Sequence, residues 1–298
     1  MRERRLTVGA SVVLLILAVA AVVAPHAQTL QRGIYASVLD KAGVPVPELM
    51  PADFVVREDN ISREVLRVER ATAPMQIALL VDNSTAASRN IRDIRDATAE
   101  FIKAVTGNGM KNEVALFAVA ERPTILVDYT TDQTKLLKGA AIFSQPGSAA
   151  YMLDGIFESS RALKKREAAR PVLVCIATNG PDYSARYFHD QVMGAVNDIG
   201  ASLNIVMVGP PPTDITSNEG RERAIIYSEG TENSGGRYDN VLAATAMPMR
   251  LKQVADELTH QYLVTYARPT TLIPPEHIKI SSKRGDVTVR GTPIKTAK

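Results

Sequence analysis

A chain of 298 residues, 45% hydrophobic and 22% charged, has the composition of a globular protein of one large domain or two ordinary ones, not of a disordered segment. The formal net charge is only +3, and Arg2, Arg4 and Arg5 concentrate much of it at the extreme N-terminus, so the basic face that nucleic-acid binding requires is missing. A single cysteine, Cys175, excludes an intrachain disulfide; set inside "PVLVCIAT", it reads as a small buried apolar group.

The first element is "MRERR" followed by "LTVGASVVLLILAVAAVVA", uncharged from Leu6 to Ala24. A basic head, an apolar stretch and small residues near a break describe a secretory signal over residues 1–27. The run is also long enough to span a bilayer, so an uncleaved anchor is the alternative. Either way the arginines stay cytoplasmic and the rest is exported: periplasmic, secreted, or tied to the inner membrane by its N-terminus. Contact with a membrane is expected only through residues 6–24.

Residues 28–73 alternate apolar and polar positions, with turns at "DKAG" and "ELMPAD", and read as antiparallel strands. From Met75 the pattern changes. "MQIALLV" is a continuous apolar run suited to a strand buried on both faces. Ile91, Ile94, Thr98, Phe101, Ile102 and Val105 then recur at helical spacing, and "GNG" stops that helix. Further strands are expected at "EVALFAV", "TILVDY", "PVLVCIAT" and "SLNIVMVG". Helices are expected at "DQTKLLKGAAIF", "LDGIFESSRALKKREAA", "FHDQVMGAVNDIG", "GRERAIIYSEGTENSGG" and "MRLKQVADELTHQ". This alternation over residues 74–261 predicts an α/β, doubly wound, mostly parallel sheet of about six strands with helices on both faces. Residues 262–298 supply "YLVTYARP", "HIKISS" and "DVTVRG", strands expected to pack with residues 28–73 in a small β module, since neither flank buries enough surface alone.

In such sheets ligands collect at the carboxyl ends of the strands, near the switch in strand order. That selects "DNSTA", the segment before Met152, and "TNGPDYS". These loops resemble those of a von Willebrand factor type A domain, in particular the exported bacterial kind. The lead-in "VLDKAGVPVPELMPADFVVREDN" is similar to that family's at Asp40, Gly43, Pro45, Val46, Leu49, Asp53, Phe54, Glu58 and Asp59, with Asn60 where glycine is usual. "VADELTHQYLVTYARP" resembles its final helix and strand.

The resemblance implies a metal-ion-dependent adhesion site on three loops: Asp-x-Ser-x-Ser, then a threonine, then an aspartate. Asp82 and Ser84 match the first loop, but Ala86 replaces its second serine. Asp154 sets the register of the second and places Ala150 at the threonine, with Ser148 two residues earlier. Asn179 stands where the third loop has aspartate. Magnesium favours about six oxygens with one or two carboxylates, so the site is expected to be degenerate. Asp82, Ser84 and Asn179 are its remnant metal positions, and no cofactor is expected; the alternative is a magnesium adhesin that recruits Ser148 and Thr85. Without metal, Asp82 and Ser84 are expected to cap the following helix, and Asn179-Gly180 to form a tight turn.

The expected function is therefore non-catalytic: binding an envelope or extracellular protein through Asp82, Ser84, Ser148 and Asn179. A serine hydrolase using Ser184, His189 and Asp182 of "PDYSARYFHD" is the competing class, but adjacency in sequence does not make a triad. The plainer expectation is a solvated helix start with Asp182 or Ser184 near its cap. No glycine-rich phosphate cradle is present. "GPPPTD" reads as a stiff loop and "RALKKREAAR" as a solvated helix end.

Overall fold

The computed structural model describes residues 29–107, 109–141, 147–184, 186–211, 216–270 and 273–295. The signal or anchor reading of residues 1–27, and much of "GPPPTD", lie outside them. No described helix is long and apolar enough to cross a membrane.

The chain enters through β1 (Thr29–Asp40), β2 (Phe54–Glu58), β3 (Ile61–Arg63) and β4 (Val65–Arg70). Then follow β5 (Gln76–Asp82), α1 (Ile91–Thr106), β6 (Glu113–Val119), β7 (Pro123–Thr130), α2 (Gln133–Ala141), α3 (Met152–Lys165), β8 (Pro171–Thr178), α4 (His189–Ile199), β9 (Ser202–Val208) and α5 (Asn218–Ile225). β10 (Arg237–Val241), α6 (Met247–Thr259), β11 (Tyr262–Pro269), β12 (Ile278–Ser282) and β13 (Val287–Pro293) complete it.

The continuous apolar runs make the centre. Six strands form one sheet in the order β10-β9-β8-β5-β6-β7, parallel except for the β6–β7 hairpin. The period of two then sorts side chains between the faces. Val172, Val174 and Ile176 of β8 join the core under α1, α2 and α6. Leu173, Cys175 and Ala177 join the opposite core, under α3, α4 and the turn carrying Ile226 and Tyr227. Strand order reverses between β5 and β8, where one run proceeds to β6 and the other to β9. The main site lies there.

Two smaller sheets, β13-β1-β11-β4 and β12-β2-β3, join residues from both flanks around Ile34, Val38, Phe54, Val56, Tyr262 and Tyr266. Arg170 helps to join this module to the main sheet. Its guanidinium donates to Ala73 O at 2.9 Å, Leu258 O at 2.9 Å and Gln261 Oε1 at 2.8 Å, and lies 4.6 Å from the Tyr35 ring centre. Burial pulls its pKa down to about 10. The basic run was expected to be solvated throughout; its last residue is instead buried, because three acceptors and a ring face offset the desolvation of one cation. β10 also lacks a counterpart among the expected strands. "RYDNV" has no apolar run to announce it, yet it pairs in parallel with β9 at the sheet edge.

Candidate functional site

Asp82 ends β5 beside the switch point. Its Oδ1 accepts from Ser84 N at 2.8 Å, and its Oδ2 accepts from Thr178 N at 3.1 Å and Thr178 Oγ1 at 2.5 Å. A buried carboxylate thus holds three donors, and the ends of β5 and β8 are tied across the crevice by charge-assisted bonds. The expected helix cap does not form. A 3-10 turn, Thr85–Asn90, intervenes before α1, and Ser84 makes no side-chain cap bond to it. Asp82 is committed to its own turn and to β8, so its oxygens point away from the amides of α1.

The second loop is stitched to the first. Gly147 N donates to Asn83 O at 3.0 Å, while Thr85 donates to Gly147 O through both N (2.7 Å) and Oγ1 (3.0 Å). Ser148 donates from N and Oγ to Glu121 Oε1, at 2.8 and 2.9 Å. Those two bonds hold the Glu121 carboxyl below the usual carboxylate range. Ala150 accepts Tyr183 N through its carbonyl at 3.0 Å, which binds the second loop to the third.

Asn179 follows Thr178, with its N donating to Val208 O at 3.1 Å. Its side chain lies against Gly209 at the end of β9: a Cβ on that glycine would meet Asn179 Oδ1 at 2.7 Å, and its φ of +111° suits glycine alone. On the other side, a Cβ on Gly180 would sit 2.4 Å from the Ala86 Cβ. The three loops do meet above the sheet. Asp82 and Ser84 lie together at the centre, Ser148 is turned to Glu121, and Asn179 is packed against β9. Ala86 and Ala150 bring methyl groups to these loops, and the hydroxyls of Thr85 and Ser148 serve Gly147 O and Glu121 Oε1.

Asp182 and Ser184 occupy a different place from the one expected. They are buried, 6% and 5% exposed, and serve the N-terminus of α3 rather than a solvated start of α4. Asp182 Oδ2 accepts Met152 N at 3.1 Å, Ser184 Oγ accepts Asp154 N at 3.2 Å, and Asp182 Oδ1 accepts Ser184 N at 2.9 Å. The reason is supply and demand: the first amides of α3 have no intrahelical acceptors, and this loop is the polar group that reaches them. His189 is occupied elsewhere, with Nδ1 2.8 Å from Glu222 Oε2. Ser184 and His189 form no catalytic pair among the described residues.

Asp154 is 3% exposed and its Oδ1 has no hydrogen-bond partner. Burial, then the neighbouring Asp182 carboxylate, push its pKa up to about 6, partly opposed by Arg186. Burial likewise raises Asp182, while Ser184 and Arg223 pull it back. Arg223, 4% exposed on α5, donates from Nη1 to Gly180 O at 2.5 Å and so holds the third loop from beneath. In "GRERAIIYSEGTENSGG" it is one charged residue among several. Its signal was spacing: three and four residues before Ile226 and Tyr227, it shares their buried helical face.

No family model matches the chain, and no curated protein matches it. Solved structures do. One described as von Willebrand factor type A from Catenulispora acidiphila superposes with a TM-score of 0.50 at 10% identity, over 90% of this chain and 74% of that one. Proximal thread matrix protein 1 from the mussel byssus matches with a TM-score of 0.50 at 11% identity, over 64% of this chain and 50% of its own. Identities this low speak to fold. The chain has the mixed α/β, mostly parallel fold of a von Willebrand factor type A domain.

Proposed function

We propose that this is a non-catalytic protein-binding module of the cell envelope, and that it binds its partner without a metal bridge. The observation that carries the second half is the state of Asp82. Its carboxylate is engaged by Ser84 N, Thr178 N and Thr178 Oγ1, while Ala86 fills the space against Gly180 with a methyl group. A hydrated divalent ion gains too few oxygens there to give up its waters. The fold supports the first half, since it places three loops at one sheet edge on a rigid base. The uncharged stretch 6–24 behind three arginines supports export.

Two measurements test the reading. Calorimetry with magnesium and with manganese is expected to show no micromolar binding; binding at that level overturns metal independence. Capture of a partner from envelope extracts is expected to be the same with and without EDTA, and capture abolished by EDTA has the same force. An activity-based serine probe labelling Ser84 or Ser184 would overturn the non-catalytic assignment.

A further inference from the structure

Residues 183 and 186–188, beyond the third loop, carry more aromatic surface than a solvated turn needs. Tyr183 is 52% exposed and Phe188 57% exposed. Between them Tyr187 stacks on Phe157 of α3, with ring centres 3.7 Å apart and planes 21° from parallel, and donates its hydroxyl to Glu158 at 2.8 Å. Each ring of the stack carries a guanidinium. Arg186 lies 5.6 Å from the Tyr187 ring centre, and Arg161, one turn further along α3, lies 5.9 Å from that of Phe157. Lys165 extends the exposed stripe down the same helix.

Two properties single out this face. First, its cations are available. Arg161, Lys165 and Arg186 enter no ion pair among the described residues, whereas Lys164 is matched by Asp198 and Arg166 by Glu113. The acids nearby keep their charge but are engaged or set back: Glu158 accepts the Tyr187 hydroxyl, Asp190 accepts Gln191 N, and Asp154 feels Arg186 from a buried position. Second, each guanidinium lies beside an aromatic ring. A guanidinium against an aromatic ring loses little of its hydration and keeps its planar fork of donors free, so a carboxylate can be bound by two parallel bonds with less entropy lost than to a free side chain. The rings between the cations supply apolar area.

We infer that this stripe, from Tyr183 and Arg186 through the Phe157–Tyr187 stack to Arg161, is a docking surface for an acidic, aromatic-containing peptide segment of a partner protein. The inference rests on the reading of the chain as a protein-binding module and names the chemistry of the partner. It needs no metal: here carboxylates are met by guanidiniums.

The test uses the full chain and a fluorescein-labelled peptide of alternating glutamate and tyrosine, followed by anisotropy at low and at physiological salt. The wild-type protein is expected to bind, less tightly as salt rises. The pair Arg161→Glu and Arg186→Glu is expected to weaken binding about tenfold or more, and the pair Arg161→Lys and Arg186→Lys about threefold, because the charge stays but the fork is lost. A control with the same charge change on the far face, Lys103→Glu with Lys135→Glu, is expected to bind as wild type; all four altered residues are exposed, so each variant should keep the wild-type circular dichroism spectrum. The inference is overturned if the peptide does not bind, if the far-face control loses as much affinity, or if phosphatidylglycerol vesicles bind and the peptide cannot displace them. Should a partner be captured from extracts while these peptide results fail, the protein-binding reading stands and only the docking surface falls. Should the peptide results hold while no extract captures a partner, the broader reading is the one in difficulty.

Discussion

The chain contains two Asp-x-Ser turns, Asp82-Asn83-Ser84 and Asp182-Tyr183-Ser184, and they are nearly the same object locally. In each, the aspartate Oδ1 accepts the serine amide two residues on, at 2.8 and 2.9 Å, and the aspartate is buried. They differ in what the second oxygen does. Asp82 reaches across the sheet to Thr178; Asp182 reaches down to the first turn of α3. One turn resembles the first loop of a metal site and the other does not, yet both work as ties between elements. The tripeptide specifies a loop conformation, and the surrounding oxygens decide whether anything binds in it.

The difference in partners predicts a difference in cost. Asp82→Ala strands three donors in a dry crevice and should lower unfolding stability by about 3 kcal/mol or more, read from a denaturant midpoint at constant slope. Asp182→Ala strands two amides but also removes a charge that burial disfavours, so about 2 kcal/mol is expected. If Asp182→Ala proves the costlier change, the ranking of the two ties is reversed.

Asp154 sharpens the same comparison through pH. Its pKa is raised from 3.8 to about 6, so burial favours the neutral form while the carboxyl is still mostly ionised at pH 7.5. The stability contributed by that neutral form is complete below about pH 4 and is lost as pH rises through 6. Asp154→Asn should therefore stabilise the protein at pH 7.5 by about 1–2 kcal/mol, allowing for partial solvent screening, and bring no gain at pH 4. Melting temperatures across that range would show a flatter profile for the variant. The smallest effect belongs to Thr178→Val, which deletes one of the three bonds to Asp82 and keeps the shape. About 1 kcal/mol is expected, and an unchanged midpoint would mean that the hydroxyl bond is idle.

How much of this was legible depended on whether polarity and burial agreed. The central strands were readable because unbroken apolar runs such as "PVLVCIAT" have few other uses, and the loops were readable because an α/β order fixes which edge they share. The reading failed where a polar residue is buried with a partner far away in sequence. Asp182 and Ser184 were assigned to the wrong helix, since nothing in "PDYSARYFHD" tells of amides some 30 residues earlier. Arg170 was expected to be solvated and Arg223 was not singled out, because an arginine is normally solvated and only the three-dimensional set of acceptors overrides that expectation. Thr178 was not singled out within "TNGPDYS", yet it holds the site's central carboxylate.

β1 lies in the middle of its sheet, flanked by β11 and β13, with Asp40 opposite Val287. This strand must therefore wait for neighbours roughly 250 residues later, and the closure of so long a loop is slow and exposes an unpaired apolar edge in the meantime. The type A sheet can assemble first, with the β module shutting last like a clasp around its own first strand. Chains lacking 287–298 are then expected to keep a folded helical body and to aggregate through the bare side of β1.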